Sequence, residues 1–297
     1  MPDSPDPAIA RRRLAQELRD ARKEAEITQG DVAREMGWHE SKVRRIEQAK
    51  VGIGKNDLRM LLRLYGQEYK FEDLWGGAPS RRRASRWQAE HELLSADVIR
   101  YLEYEESAAI IREYQSVAVP GLLQTPDYAR RMIEVFAKPS DDEGRKAGLL
   151  RIRLTRQQLW SERRRCRLVV LLDQAVISRH VGGPAAMRAQ LEKLRTLSLQ
   201  ENVSIRLIPF DRDAHAGMAG PFTLLDFGGA ADRGLYLGDA PQELSISDPD
   251  IVDPFVKVFT DLTEIAASSE ESVSLIDAEI SRLQSLETRS ASQDGAD

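Results

Sequence analysis

Cysteine and histidine are scarce in this sequence, which holds one cysteine, Cys166, and four histidines in 297 residues. A single cysteine excludes a disulfide within the chain, which agrees with a reducing compartment. Because the histidines are also dispersed along the chain, a zinc site built from cysteine and histidine is not expected. We expect no metal and no other cofactor.

Long apolar runs are lacking as well. No stretch approaches the roughly 18 continuous apolar residues that a membrane-spanning helix needs. The first seven residues are rich in proline and aspartate and have no apolar core, so a secretory signal is not expected. These absences predict a cytoplasmic protein that has no membrane partner.

Positive charge is in deficit over the whole chain, whose net charge is −5, but it is unevenly placed. Residues 1–90 hold 19 Lys and Arg against 15 Asp and Glu, a balance of +4, and the remainder holds 24 against 33, a balance of −9. A mildly basic N-terminal part therefore precedes an acidic body. The acidic body should repel DNA at long range, so any DNA binding would depend on geometry more than on net charge.

Five short helices are predicted between residues 9 and 76. Leu14, Leu18 and Ala21 form one apolar stripe at helical spacing. Thr28 is a good helix N-cap, and Asp31 three residues later makes a variant of the capping box. The other four helices are expected over about 28–36, 39–48, 56–65 and 71–75. Because none is long enough to be stable alone in water, they must pack together.

The second and third of these helices are predicted to form a helix-turn-helix. Gly37 suits the left-handed residue of a tight turn between them. With Val43 and Ile46 facing inward, the outer face of the third helix carries Ser41, Arg44, Arg45 and Gln48, with Glu40 and Lys42 on its flanks. Such donors and cations suit the DNA major groove. A charged helix face alone is more typical of an all-α bundle with a solvated surface, so the DNA-binding interpretation depends on the order of the whole segment.

Two segments carry a family resemblance. Residues 28–37 (TQGDVAREMG) and 41–47 (SKVRRIE) resemble the signature of the XRE-type, lambda-repressor-like helix-turn-helix regulators, and the resemblance covers residues 11–75. It implies binding to double-stranded DNA in transcription. It also implies residue roles, in which Gln29 contacts a phosphate, Lys55 approaches the DNA backbone from the loop before the fourth helix, and Arg22 and Glu47 form a buried structural ion pair. The resemblance also implies that Glu40, Ser41, Lys42 and Arg45 face the groove. The outward Arg44 completes this groove-facing set.

Several positions depart from that family pattern. His39 stands where Ser or Thr commonly caps the recognition helix, which predicts a weak cap. Ala49 stands where glycine usually takes a left-handed turn, at a cost of about 1 kcal/mol if the backbone is kept. Arg44 and Glu40 are less usual residues in the groove-facing set, so the sequence does not predict the operator.

Composition and pattern divide the rest of the chain. Gly76–Ser80 breaks the helical pattern and a basic run of arginines follows, which is either a solvated linker or an additional phosphate contact. The expected segments are a disordered tail over 1–8, the helix-turn-helix domain over 9–76, the basic linker over 77–86, a second domain over 87–285 and a disordered tail over 286–297.

The second domain is expected to have an α+β fold, which makes the chain mainly α with an α+β C-terminal domain. Its first helical region is predicted to run from Trp87 through Ile111, and two more helices follow over about 126–136 and 141–162. Four strands are then expected over 167–172, 203–208, 222–227 and 235–237. The remaining helices are expected over about 187–197, over 249–268 and up to about 286.

A second resemblance covers residues 87–285. Residues 119–130 (VPGLLQTPDYAR), 181–184 (VGGP), 202–210 (NVSIRLIPF) and 215–222 (HAGMAGPF) are similar to segments of the WhiJ-type, antitoxin-like actinobacterial regulators. That resemblance implies transcriptional control and a small acidic partner protein. It does not imply an established ligand.

Chemical sites in the second domain are weakly indicated. His215 lies near Asp211 and Asp213 in a loop where Gly217 and Gly220 are expected to need positive φ, and this pattern is more typical of a tight turn than of a catalytic or metal site. The segment 181–184 lacks the lysine ending of a phosphate-binding loop and is interpreted as a turn that starts a helix. Cys166 is more typical of a buried spectator than of a redox sensor. Arg206 and Asp226 are expected on solvent-facing sides of strands.

Three functions therefore compete. The first is a homodimeric regulator whose C-terminal domain dimerises or binds a small acidic partner protein. The second is a repressor that senses a small molecule in a pocket of that domain. The third is an enzyme joined to a DNA-binding module, which the lack of a catalytic constellation disfavours. We therefore expect a regulator that is not an enzyme.

Overall fold

The computed structural model describes residues 7–76, 86–163, 165–228, 233–238, 244–246 and 249–294. Contacts divide the chain into two units, Met1–Ala89 and Glu90–Asp297. The predicted basic linker lies outside the described residues except for Arg86, and so do residues 1–6 of the predicted N-terminal tail. Within the described ranges, no helix is both long enough and apolar enough to cross a membrane.

Five α-helices form the N-terminal unit, as the sequence predicts. They are α1 (Pro7–Glu24), α2 (Gln29–Met36), α3 (Glu40–Glu47), α4 (Lys55–Leu64) and α5 (Phe71–Gly76), with a 3₁₀ turn over Glu68–Lys70. Their inward faces meet in one apolar core made by Leu14, Leu18, Ala21, Val32, Val43, Ile46, Leu58, Leu61, Leu62, Tyr65 and Phe71. Packing of these amphipathic faces stabilises the helices, of which α2, α3, α4 and α5 have ten residues or fewer and are too short to be stable alone.

The starts of the helices follow from local hydrogen bonds. The Asp31 backbone N–H donates to the Thr28 hydroxyl and the Thr28 N–H donates to the Asp31 carboxylate, so the predicted capping box is confirmed. His39 caps α3 in an unexpected way, because its Nδ1 accepts from the Ser41 N–H at 3.3 Å. Lys55 is the first residue of α4 and not part of the preceding loop as the sequence suggested.

Four helices of this unit end in the same backbone motif, in which one residue adopts the left-handed conformation and the next N–H reaches back five residues. Glycine takes the left-handed position after α2 and α4, at Gly37 and Gly66. Glu26 (φ 56°) and Ala49 (φ 54°) take it after α1 and α3. The return bonds run from Ile27 to Arg22, Trp38 to Ala33, Lys50 to Arg45 and Gln67 to Leu62. The turn expected at Ala49 is therefore kept without glycine.

Glycine substitution at these two positions should have unequal effects. Glu26 is exposed, so Glu26→Gly removes only the left-handed strain, and we expect stability to rise by about 0.5–1 kcal/mol after the entropy cost of glycine. Ala49 is 2% exposed, so Ala49→Gly also loses a buried methyl group worth about 0.8 kcal/mol, and the net change should be near zero. Denaturant midpoints at constant slope measure both. Equal stabilisation by the two variants would contradict this explanation.

A mixed sheet forms the centre of the C-terminal unit. Its strands are β1 (Ile110–Gln115), β2 (Arg167–Asp173), β3 (Val203–Ile208), β4 (Phe222–Asp226), β5 (Arg233–Leu237) and β6 (Leu244–Ile246), in the spatial order β3-β2-β1-β4-β5-β6. The first three strands are parallel, and the other pairs are antiparallel. Tyr114 lies opposite Leu171 on one side and Phe222 on the other, so β1 is a central strand. This arrangement confirms the α+β prediction for this part of the chain.

The prediction that the first helical region runs through Ile111 is wrong at its end. Helix α6 (Ala96–Ser107) stops before β1, and Ile110–Gln115 is a strand. Ile111 and Tyr114 are completely buried between neighbouring strands. A short strand that is buried on both faces lacks the alternation of an exposed strand, so its sequence resembles that of a buried helix.

Helices surround this sheet. They are α7 (Pro126–Phe136), α8 (Glu143–Glu162), α9 (Gln174–Ser178), α10 (Pro184–Leu197), α11 (Pro249–Ile265) and α12 (Ser269–Asp294), and a 3₁₀ turn covers Gly121–Leu123. Helix α11 places Val252, Phe259 and Leu262 in an apolar cluster with the sheet. The disordered tail predicted over 286–297 is wrong for residues 286–294, which continue α12. No glycine or proline interrupts that helix between its ends.

Candidate nucleic-acid interface

The turn at Gly37 fixes α3 against α2. Gly37 has φ 65°, and the Trp38 N–H donates back to the Ala33 carbonyl at 2.8 Å. Val43 and Ile46 are buried in the core, so the opposite face of α3 points to solvent. That geometry is the one in which a recognition helix enters the major groove.

Four side chains of the outer face of α3 and its end are exposed, and they are Glu40, Arg44, Arg45 and Gln48. The guanidinium groups of Arg44 and Arg45 have no ion pair or hydrogen bond within the described part of the chain. Their guanidinium donors are therefore available for a ligand outside the domain. Ser41 is half-buried, and its hydroxyl lies 2.9 Å from His39 Nδ1.

Lys42 is engaged inside the domain. Its Nζ lies 3.5 Å from the centre of the Trp38 ring and 3.1 Å from the Asp57 carboxylate of α4. The charge is therefore shared between a cation–π contact and an ion pair. Sequence reasoning missed this arrangement, because Trp38 lies before the start of α3, where the spacing rule for neighbours on a helix does not apply.

Arg22 and Glu47 meet where α1 approaches the end of α3. Arg22 Nε donates to Glu47 Oε1 at 2.6 Å and Arg22 Nη2 donates to Oε2 at 3.1 Å. Their side chains are only 13% and 4% exposed. The hydrogen bond to Glu47 raises the pKa of Arg22, which keeps the guanidinium charged. Arg22 Nη1 also donates to the Ile27 carbonyl at 2.8 Å, so the pair ties the end of α1 to α3.

Gln29 joins this pair from the first turn of α2. Its Nε2 donates to Glu47 Oε2 at 2.7 Å. The carboxylate of Glu47 therefore accepts from both Arg22 and Gln29 and fixes the orientation of the Gln29 amide. The second hydrogen of that amide, together with the free N–H groups of a helix N-terminus, can donate to an anion such as a phosphate. Lys55 is exposed at the start of α4, with its Nζ 5.9 Å from the centre of the Trp75 ring.

The loop around His215 has the geometry of a tight packing contact. A Cβ atom on Gly217 would lie 2.7 Å from the ring of Tyr114, so this glycine is required by close approach. Only Gly220 of the two predicted glycines has a positive φ, at 128°. His215 packs edge-on against Tyr114, with ring centres 6.3 Å apart. Across the described ranges, no cluster of three or more His, Cys, Asp or Glu side chains is placed to hold a metal ion.

Other sequence-based interpretations have clear outcomes. Gly182 and Gly183 have φ of 78° and 89° immediately before α10, which confirms the helix-starting turn. Cys166 is buried, and desolvation raises the pKa of its thiol, so the reactive thiolate is disfavoured.

The expectation that Asp226 faces solvent is wrong. Its side chain is 10% exposed and accepts from Arg112 at 2.5 Å and from Arg233 at 2.8 Å.

A groove of about 430 Å³ lies beside these two arginines, between the sheet and α11. Its other lining residues are Val169, Val256, Phe259, Thr260, Thr263 and Glu264. Apolar walls and a few converging polar groups are typical of small-molecule sites.

Two known protein families match this chain, one in each of its two units. Residues 13–68 match a family described as a helix-turn-helix domain. Residues 98–278 match a family described as a domain of unknown function, DUF5753. No match was found among curated proteins or among solved structures.

Proposed function

The chain belongs to the DUF5753 family and carries a helix-turn-helix domain ahead of that domain, and from this premise we propose that it is a sequence-specific transcription regulator of the XRE type. Helix α3 enters the major groove of double-stranded DNA. The observation that carries the proposal is the exposed face of α3, where Arg44 and Arg45 project away from Val43 and Ile46.

The predicted contact residues divide into two roles. Arg45 donates two hydrogen bonds to a guanine edge, and Arg44, Glu40 and Ser41 complete the groove-facing set. Gln29 and Lys55 contact the DNA backbone, which fixes the register without reading sequence.

For Lys42 we propose a different role from the groove-facing one that the family resemblance implies. Because it is held by Trp38 and Asp57, it positions α3 against α4 and does not read a base. In the same way, Arg22 and Glu47 orient Gln29 and do not reach the DNA.

The regulator acts as a homodimer. A single recognition helix reads too few base pairs for useful specificity, so such domains use two half-sites one DNA turn apart. Light scattering of the full chain on duplex DNA should therefore give two chains per duplex, each of 33.5 kDa. A single chain per duplex, at protein concentrations that saturate the DNA, would refute the dimer.

The C-terminal unit works by contact with protein and not by catalysis. It dimerises or binds a small acidic partner protein, as the similarity to WhiJ-type, antitoxin-like regulators implies. The edge-on packing of His215 and the closeness of Gly217 to Tyr114 support a structural role for that loop. A cytoplasmic location goes with this function.

The groove beside α11 favours a second candidate, a repressor that senses a small molecule. Arg112 and Arg233 both line the groove, and both pair with the carboxylate of Asp226. A small molecule extracted from the purified chain would favour the sensor, and a small acidic protein that purifies with the chain would favour the contact function.

A further inference from the structure

The segment between β1 and α7 is held by polar side chains from α8 and α10. Gln157 Nε2 of α8 donates to the Gly121 and Gln124 carbonyls. Two cations also bind Gln124. Arg153 of α8 donates to Gln124 Oε1 at 2.8 Å, and Lys193 of α10 donates to the Gln124 carbonyl at 2.7 Å. Helices α8 and α10 therefore bring two positive charges together around Gln124.

These two cations have no anionic partner among the residues that the structure describes. Both are half-buried, and no carboxylate pairs with either of them within the described ranges. The neighbouring Arg156 does not share its counter-ion with them, because its Nε and Nη2 both bind Glu105. Desolvation lowers the pKa of Lys193, and desolvation and the charge of Arg156 lower the pKa of Arg153 to about 10. Partial burial of uncompensated positive charge is costly, and groups perturbed in this way are concentrated at binding and catalytic sites.

Hydrogen-bond donors also remain at this place. Gln124 engages one end of the Arg153 guanidinium, and Gln124 and Gln157 take two of the three Lys193 hydrogens. Arg153 Nε and Nη2 and the third Lys193 hydrogen have no acceptor in the part of the chain that the structure describes. The guanidinium is a fork that suits two oxygens of one anion, and the ammonium suits a third.

We propose that Arg153 and Lys193 bind the phosphoryl group of a small phosphorylated ligand beside Gln124. Two uncompensated positive charges match a phosphate monoester, which carries about two negative charges near neutral pH. A carboxylate or the diester of a nucleic-acid backbone carries only one. This site is separate from the groove beside α11 and does not depend on the DNA-binding proposal.

Calorimetric titration of the full chain tests the site at pH 8 and constant ionic strength. Inorganic phosphate should bind with one site per chain, and dimethyl phosphate and acetate should bind at least about ten-fold more weakly because each carries one charge. Lys193→Met and Arg153→Gln should each weaken phosphate binding by at least about ten-fold. Arg188→Met is the matched control on α10, since Arg188 is already paired with Glu192 and Glu287, and it should leave the affinity unchanged.

Melting without phosphate separates a ligand site from a structural one. Lys193→Met should melt near the parent's temperature, because removal of an uncompensated charge offsets the loss of the two hydrogen bonds to Gln124 and Gln157. Arg188→Met should melt slightly lower. Phosphate binding no stronger than acetate binding, or unchanged phosphate affinity in both site variants, would overturn the proposal. A large fall in melting temperature for both site variants would mark the cations as structural and would overturn it too.

Discussion

Replacing Arg22 with Ala should destabilise the N-terminal unit by about 3 kcal/mol, which corresponds to roughly 150-fold faster hydrogen exchange in α1 and α3. In the parent chain the Glu47 side chain is 4% exposed. The substitution removes its cation and leaves Gln29 as its remaining partner among the contacts at this place. A buried carboxylate without its cation costs several kcal/mol. Hydrogen exchange in the full chain measures the effect, with peptides from β1–β3 as an internal reference for the other unit.

Two further variants separate the ion pair from a general effect of charge. Arg22→Met combined with Glu47→Met removes both charges, and its loss of stability should be smaller than that of Arg22→Ala. Arg34→Ala is the matched control, because Arg34 is 75% exposed in its pair with Asp31 and should change stability by less than about 0.5 kcal/mol. A double variant less stable than Arg22→Ala would contradict the role of the uncompensated carboxylate.

Replacing Arg45 with Ala should leave the fold intact and weaken binding to the preferred duplex by roughly 5- to 150-fold, or about 1–3 kcal/mol. The Arg45 side chain is exposed and makes no ion pair or hydrogen bond inside the described domain, so its removal strands no partner. Binding to unrelated duplexes should change far less, because those complexes depend on phosphate contacts. Equilibrium titrations on both duplexes at several salt concentrations measure the two effects.

Variants of Lys55 and Arg59 serve as comparisons for Arg45→Ala. Lys55→Ala should weaken binding to all duplexes alike and reduce the salt dependence by about one phosphate contact. Arg59→Ala removes the same charge as Arg45→Ala, but Arg59 lies over the Phe71 ring and near Glu72 of α5, so DNA affinity should be nearly unchanged. Equal losses in Arg45→Ala and Arg59→Ala would mean that net charge and not the placement of α3 governs binding.

The N-terminal unit was largely predictable because local rules determine it. The capping box at Thr28, the left-handed Gly37 and the inward Val43 and Ile46 each depend on neighbours within a few residues. The contacts of Lys42 and Gln29 were only partly predictable. Asp57 and Glu47 meet them from other helices, and such contacts depend on how the helices pack.

The C-terminal unit was less predictable for the same reason. The partner residues of β1 lie more than 50 positions away in β2 and more than 100 positions away in β4. In addition, Ile110–Gln115 has no alternation of buried and exposed residues that would indicate a strand. The convergence of Arg153 and Lys193 on Gln124 likewise joins three elements that are distant in sequence. The match of residues 98–278 shows which family this unit belongs to, but that family has no described function. The role of this unit is therefore a proposal from its geometry.

Selection of random duplex DNA by the full chain tests most directly whether α3 reads sequence. We expect enrichment of a pseudo-two-fold sequence whose half-sites are about 10–10.5 base pairs apart, centre to centre. The Arg45→Ala chain should keep that spacing and lose the preference at one base pair in each half-site. Retention of DNA without any enriched sequence, or identical base preferences in the parent and Arg45→Ala chains, would contradict the reading of DNA by α3.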